Sequence, residues 1–255
     1  MTDYDQIAGQ YRASKLQPWR EAVEKYTLLK LAGEVRGLDV IDLACGDGHY
    51  ARLLAAAGAR VTGVDASGGM IELAREAESQ APAGIEYRIG DVRDLRDESR
   101  YDLGIASWLF NYAQNVGELS AMCEALARAL KPGARFIALN TDPNDPPSNF
   151  DMGKRYGFVK RARDQSTAGK PAGKLKEGAA LVWTLTLPDG ERIDIVNYHL
   201  ERATVERCLQ RAGLTGIQWR APLLDPAARD ADGEEHWRPL LQRPPFVFIE
   251  GRRKA

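Results

Sequence analysis

Residues 42–51 read DLACGDGHYA, directly behind the apolar run Leu38, Val40 and Ile41. A strand-like stretch that ends in two glycines two apart and then turns helical suits a loop that lets a nucleotide approach the backbone. Glycine has no Cβ, so chain and ligand can meet, and the helix N-terminus offers unpaired N–H groups. The spacing Gly46-x-Gly48-x-x-Ala51 leaves open which nucleotide that is.

Working outward, apolar periodicity predicts a helical arm over 3–12, a helix over 18–34 and a first strand over 40–44. A helix then stops at Gly58, a strand runs over 60–65, and a helix over 67–79 is capped by Ser67. Strands over 85–89, 101–108 and 135–140 follow, with a helix over 116–130 before the last of them. This alternation is that of an α/β parallel sheet flanked by helices. From 154 to 177 eight Lys/Arg stand against two acids, with Gly and Pro throughout, which predicts a cap with little regular structure. Residues 181–187 and 192–199 alternate around Pro-Asp-Gly and predict a hairpin. A helix over 203–212 and strands over 216–221 and 246–251 complete the chain. Together these predict one domain: a helical arm (1–37), a nucleotide-binding half (38–142), a cap and hairpin insertion (143–200) and the C-terminal part of the sheet (201–255).

The chain has 255 residues, 44% of them hydrophobic and 28% charged, and a formal net charge of -1, so its overall balance does not advertise nucleic acid or an anionic membrane. Cys45, Cys123 and Cys208 form no CxxC pair and no metal-ligand spacing, and are expected to be buried reduced thiols with no metal site. The start MTDYDQIAGQ lacks the features of a signal peptide, and no apolar run approaches the roughly 20 residues of a membrane span. A cytoplasmic protein is expected.

Asp65, about twenty residues after the glycine turn and at the end of the second strand, is placed to accept both hydroxyls of a ribose. That serves a nicotinamide dinucleotide and S-adenosyl-methionine equally. Asp42 favours the second, because a carboxylate at the turn repels a pyrophosphate and suits the ammonium of a methionine moiety. Gly90-Asp91 closes the third strand, where a carboxylate can accept an adenine amino group. ASWLFNYA places Trp108, Asn111 and Tyr112 at the carboxyl edge of the fourth strand, beside the switch point where open α/β sheets bind ligands.

With these residues in hand, the chain resembles the class I S-adenosyl-methionine-dependent methyltransferases over nearly its whole length. Their acid-x-Gly-x-Gly-x-Gly motif here reads Asp42-Leu43-Ala44-Cys45-Gly46-Asp47-Gly48, with Ala44 in place of the first glycine. The resemblance implies a doubly wound, Rossmann-like, seven-stranded and mostly parallel sheet, its last strand antiparallel, with the cap and hairpin inserted after strand five. It implies S-adenosyl-methionine as cofactor: Asp65 at the ribose, Asp91 at the adenine, Met70 packed against it, and Gly46 with Asp42 at the methionine end. Tyr11, Ala44, Gly48, Ala66, Val92 and Ser107 complete the expected cofactor contacts. More narrowly, DLACGDGHYAR, SWLFNYA and WRAPLLD are similar to the bacterial toxoflavin-type N-methyltransferases, which act on small azaheterocycles.

The implied reaction is in-line transfer of a methyl group to a nitrogen or oxygen of a small aromatic or heterocyclic metabolite, leaving S-adenosyl-homocysteine. The main task is alignment, with water kept out. His199, with an unperturbed pKa of about 6.5, is the candidate general base. Tyr4, in the arm with Tyr11, is expected to close over the reacting sulfonium, which an aromatic face attracts. Trp108, Asn111, Tyr112 and Tyr198 are expected to contact the acceptor, Phe110 to be buried, and Trp183 and Trp219 to be ordinary core. His49 is expected to pack at the cofactor loop and His236, in the charged segment DGEEHW, to be solvated. The Asn-Pro-Pro-Tyr signature of nucleic-acid amino methyltransferases is absent, so no nucleic-acid or membrane partner is expected, and the chain is expected as monomer or homodimer. The competing readings are a nicotinamide-dependent oxidoreductase on the same glycine turn and a non-catalytic S-adenosyl-methionine-binding protein.

Overall fold

β1 (Asp39–Leu43) lies between β2 (Arg60–Asp65) and β4 (Tyr101–Ser107), parallel to both, in a computed structural model that describes residues 2–163 and 175–255. β3 (Glu86–Ile89) pairs parallel outside β2, and β5 (Leu130–Thr141) parallel outside β4. Two late strands close the far side: β10 (Phe246–Arg253) inserts antiparallel between β5 and β9 (Leu214–Arg220). The order β3-β2-β1-β4-β5-β10-β9 is the expected seven-stranded sheet with its last strand antiparallel. The chain leaves β1 toward β2 and returns to β4 on the other side. The carboxyl ends of β1 and β4 therefore splay helices to opposite faces and leave a crevice between them.

Both faces of the sheet are covered, which is why its central strands read as continuous apolar runs rather than alternating ones. On one face Val40, Leu103 and Ile105 pack with α3 (His49–Ala56) and α4 (Gly68–Gln80). On the other Ile41, Leu43 and Phe136 pack with α5 (Val116–Ala129) and α6 (Arg202–Arg211). α1 (Tyr4–Ser14), capped by Asp3, lies over α4. Asp5 fastens it there: its Oδ1 accepts the Ser67 hydroxyl at 2.6 Å and the Gly69 N–H at 2.9 Å. The helix expected over 18–34 starts as a wide π-type turn (Arg20–Lys25) and continues as α2 (Tyr26–Ala32).

The cap corrects one expectation. β6 (Phe158–Ala162), β7 (Ala180–Thr186) and β8 (Arg192–Tyr198) form a three-stranded antiparallel sheet, so part of the basic stretch is strand rather than loop. The apolar period of β6 is hidden because Lys160 occupies the middle inward position between Phe158 and Ala162. Lys160 is buried and its ammonium bonds Asp145, which is how a charge sits where an apolar side chain would announce a strand. The rest of that stretch, 164–174, lies outside the described residues.

α7 (Pro226–Asp232) and α8 (Glu234–Gln242) precede β10. α8 buries Trp237 and Leu240, and His236 is half-buried rather than solvated, edge-on to Tyr156 at 5.4 Å between ring centroids. No described helix is long and apolar enough to cross a membrane.

Candidate functional site

A cleft of about 880 Å³, counted to its open mouth, runs along the carboxyl ends of β1, β2 and β4. Its floor is the loop after β1. There the Cys45 N–H donates to the Val64 carbonyl and the Gly48 N–H to the Cys45 carbonyl, so the loop curls back onto β2. Gly46 takes φ +57°, and no atom stands within 4 Å of where a Cβ would lie. Ala44 takes φ +58° and Trp108, just past β4, φ +62°. L-residues avoid this left-handed region at about 1 to 2 kcal/mol each, and such strain collects where a site demands it. Both residues line the cleft.

Asp65 ties the floor together, its Oδ2 accepting the Gly46 N–H at 2.8 Å and its Oδ1 the Ser67 N–H at 2.9 Å. Burial pushes its pKa up, and these two N–H groups pull the other way. Ala66 and Met70 continue the wall from β2 into α4, with Met70 buried beneath. Across the cleft stand Asp91, Val92 and Ser107, and the buried Ser107 hydroxyl has no hydrogen-bond partner among the described residues. Asp91 is held by its neighbour Arg93 at 2.6 Å, which keeps its carboxyl below the usual range. A carboxylate on each side of the cleft, a thioether wall and an orphaned hydroxyl suit a nucleoside carrying an amino-acid tail, so the donor set fits S-adenosyl-methionine.

The arm supplies the roof. Tyr4 and Tyr11 pack edge to face at 5.1 Å, and the Tyr4 hydroxyl hydrogen-bonds that of Tyr112. Burial raises the pKa of Tyr4 and of Tyr112 above a phenol's ordinary value, so both remain neutral hydroxyls at physiological pH.

Behind Trp108 and Tyr112 the cleft meets a second, much smaller chamber of about 20 Å³, room for about one water. It shares Tyr11, Trp108 and Tyr112 with the cleft and is closed by Trp19, Arg20 and the inner face of the cap sheet, Trp183 and Asn197 among it. Arg20 is buried against Glu24 at 3.3 Å, and Glu24 also accepts the Tyr50 hydroxyl at 2.5 Å. Burial alone would push Glu24 up; the Arg20 and Lys15 cations outweigh it and hold it low.

Five expected site residues stand elsewhere. Asp42 is on β1, opposite Gly63 and Ile105, one layer below the cleft rather than in it. It is buried, with the Ala51 N–H at the start of α3 beside it but no side-chain hydrogen-bond partner among the described residues. Burial pushes its carboxyl up to about 7 against the pull of Lys15, and Asp65 and Asp47 push the same way. Gly48 is the left-handed residue that starts α3, with the Tyr87 ring where a Cβ would go; it shapes the loop from beneath. Asn111 is spent on the backbone, donating to the Trp108 carbonyl at 2.9 Å and accepting the Thr141 N–H at 3.0 Å. Tyr198 and His199 end the cap hairpin and line neither cavity; His199 is buried, its backbone paired with Gly178 and Ala179. His49 lies at the loop's edge, 3.8 Å from Glu21, with its pKa lowered by burial.

Sequence reasoning missed Arg20, Trp183 and Asn197 as cavity residues. Arg20 and Glu24 look like a helical i,i+4 pair, and Trp183 like any apolar strand residue; only packing brings them together. Among the described residues no group of His, Cys, Asp and Glu is placed to hold a metal, and the three cysteines are buried and free.

Residues 40–133 match the family model described as a methyltransferase domain. A ubiquinone biosynthesis O-methyltransferase of Bordetella avium is 31% identical over 118 residues, 45% of this chain and 48% of that protein. A cypemycin N-terminal methyltransferase of a Streptomyces species is 38% identical over 108 residues, 42% of this chain and 43% of that one. These matches span less than half the length of the curated relatives. A crystal structure of an S-adenosylmethionine-dependent methyltransferase from Mesorhizobium loti superposes with TM-score 0.61 at 26% identity, covering 87% of this chain and 93% of that one.

Proposed function

We propose that this class I S-adenosyl-methionine-dependent methyltransferase transfers a methyl group to a nitrogen or oxygen of a small, flat aromatic or heterocyclic metabolite. The observation that carries the proposal is the junction of two cavities. The glycine-floored cleft ends against Tyr11, Trp108 and Tyr112, and the aromatic chamber begins on their other side. The two named relatives support either acceptor atom, one being an O-methyltransferase and the other an N-terminal methyltransferase. The aromatic side chains lining the cleft, Tyr4, Tyr11, Trp108 and Tyr112, favour a flat molecule over a protein N-terminus, in keeping with the resemblance to enzymes of small azaheterocycles.

When bound, S-adenosyl-methionine supplies a methyl group already activated on a sulfonium sulfur. The chain's residues then have mainly to align and dry the site. Asp65 holds the ribose end and Asp91 the adenine end. Gly46, at φ +57°, lets the methionine end lie against the backbone. Tyr4, Tyr11 and Tyr112 line the cleft, and their π-faces attract positive charge. The acceptor's lone pair takes the methyl as the C–S electron pair moves to sulfur, and any proton the acceptor loses goes to solvent. Positioning of this kind supplies on the order of 7 to 11 kcal/mol in favourable systems.

Calorimetry with S-adenosyl-homocysteine and with NADH tests the proposal, together with methyl uptake by a panel of heteroaromatic amines, phenols and carboxylates. Binding of the first ligand only, with uptake by a flat acceptor, is the expected result. NADH binding instead, or cofactor binding with no uptake across the panel, overturns it in favour of an oxidoreductase or a binding protein.

A further inference from the structure

Three costly features meet behind the end wall of the cleft. Trp108 holds a left-handed backbone at φ +62°, which a bulky L-residue keeps only under constraint. Arg20–Lys25 winds as a π-type turn, a rare form that is often found at functional sites. Glu24, inside that turn, is a fully buried carboxylate, and a buried charge persists only where partners are supplied.

The partners of Glu24 come from each part of the frame around the cleft. Arg20, on the same turn, stands at 3.3 Å, and Lys15, at the end of α1, at 3.8 Å. The Tyr50 hydroxyl, from the first turn of α3 directly behind the glycine loop, donates at 2.5 Å. The Trp108 indole N–H reaches the same carboxylate from the carboxyl end of β4. Lys15 and Arg20 in turn stand over the ring of Tyr11, in the roof, at 5.2 and 5.6 Å from its centroid. One carboxylate therefore ties roof, floor and end wall together.

The Trp108 backbone is pinned separately. Its N–H donates to the Leu139 carbonyl at 2.7 Å, and its carbonyl accepts the Asn111 amide at 2.9 Å. The ring is left to its contacts with Trp183 and Phe246, at 5.5 and 6.0 Å between centroids, and to the bond to Glu24. Edge-to-face contacts tolerate a range of ring angles, whereas a hydrogen bond to a buried charge is strong and directional.

We propose that Glu24 is a positioning residue: its carboxylate orients the Trp108 indole, so that the end wall of the cleft is set before a ligand enters. The proposal rests on the methyl-transfer reading of the cleft and adds a residue that lines neither the cleft nor the chamber behind it. Glu24 does two separable things. Its pairing with Arg20 stabilises the fold and needs the charge. Its bond to Trp108 orients a ring and needs only an oxygen acceptor at that place. Glutamine keeps such an oxygen, and the Tyr50 hydroxyl can turn to accept the amide N–H.

The full chain carrying ¹⁵N-tryptophan, alone and with S-adenosyl-homocysteine, tests this, with the Trp108 indole peak identified by its absence in Trp108→Phe. Urea unfolding and calorimetry with S-adenosyl-homocysteine follow on Glu24→Gln and Glu24→Ala. Stability is expected to fall in both variants, because both leave Arg20 without its carboxylate. Affinity is expected to divide them: within about twofold of the unaltered chain in Glu24→Gln, and about five- to tenfold weaker in Glu24→Ala, the worth of one hydrogen bond. A purely structural Glu24 would instead make affinity follow stability in both. The Trp108 peak is expected to move on ligand binding in the unaltered chain, and upfield in Glu24→Gln as a neutral acceptor replaces a charged one. Equal affinity losses in the two variants, no loss in either, or a Trp108 peak unmoved by Glu24→Gln overturns the proposal. If Glu24→Ala fails to fold, Glu24→Gln decides through its affinity and its Trp108 peak. An unaltered chain that binds no S-adenosyl-homocysteine overturns the cleft assignment and this proposal with it; binding with an unmoved Trp108 peak overturns this proposal alone.

Discussion

Asp42 should make the stability of this protein fall as the pH rises, and Asp42→Asn should remove that slope. The carboxyl sits on β1 beneath the glycine loop, buried, with only the Ala51 N–H beside it as a hydrogen-bond donor among the described residues. Lys15 attracts it, while Asp65 and Asp47 repel it, and burial dominates, raising its pKa from 3.8 to about 7. In the unfolded chain the group ionises near pH 4. Between about pH 4 and 7 the native state therefore holds a proton that the unfolded state has released, and stability declines across that window. Each pH step of one across which the two states differ by a whole proton costs about 1.36 kcal/mol, so between pH 5 and 8 this group alone removes roughly 2 to 3 kcal/mol. Relaxation and water entry reduce that, and about 1 to 3 kcal/mol is the order to expect. Asparagine has nearly the same shape and does not titrate. Whatever constant amount it adds or removes, the stability difference between Asp42→Asn and the unaltered chain should grow by that amount from pH 5 to pH 8. Urea unfolding of both proteins at half-unit pH steps measures it. Profiles that stay parallel within about 0.5 kcal/mol would refute the buried carboxyl with a raised pKa.

Asp65→Ala should weaken S-adenosyl-homocysteine binding at least tenfold and also lower the melting temperature. It removes ribose acceptors and the bonds to the Gly46 and Ser67 N–H groups, each on the order of 1.5 to 3 kcal/mol. Calorimetry and a melting scan read the two effects, and an unchanged affinity would mean that the ribose lies elsewhere. Ala44→Gly should raise stability by roughly 0.5 to 1 kcal/mol. The relief of a left-handed alanine, about 1 to 2 kcal/mol, exceeds the extra freedom glycine gives the unfolded chain; a destabilised variant in urea counts against strain at φ +58°. Glu24→Ala leaves the buried Arg20 guanidinium without its carboxylate and should cost about 3 to 5 kcal/mol in urea unfolding. A loss under about 1 kcal/mol would mean that the pair is not shielded from water.

The half of the fold that carries the cleft was legible because its signals are local. Strand, glycine turn and helix from 40 to 56, Asp65 after the second strand and Asp91 after the third each act within a few residues of their own position. Their shared edge follows from parallel pairing. Tyr4, Tyr11, Trp108 and Tyr112 were legible for the same reason, lying at an arm or strand end whose place the topology fixes. β6 was not, because a buried Lys160 interrupts its apolar alternation and is excused only by Asp145, fifteen residues away. Asp42 belongs to the motif, yet its layer below the cleft is set by strand pairing to Gly63 and Ile105.

The sequence by itself determined the sheet, its crevice and the kind of nucleoside that crevice suits, since periodicity and turn chemistry are properties of neighbouring residues. Tertiary structure decided what packs behind the cleft. Arg20, Trp108, Trp183 and Asn197 meet around one chamber only because the cap sheet folds back onto the first helices. Nothing in any of their local sequences records that meeting.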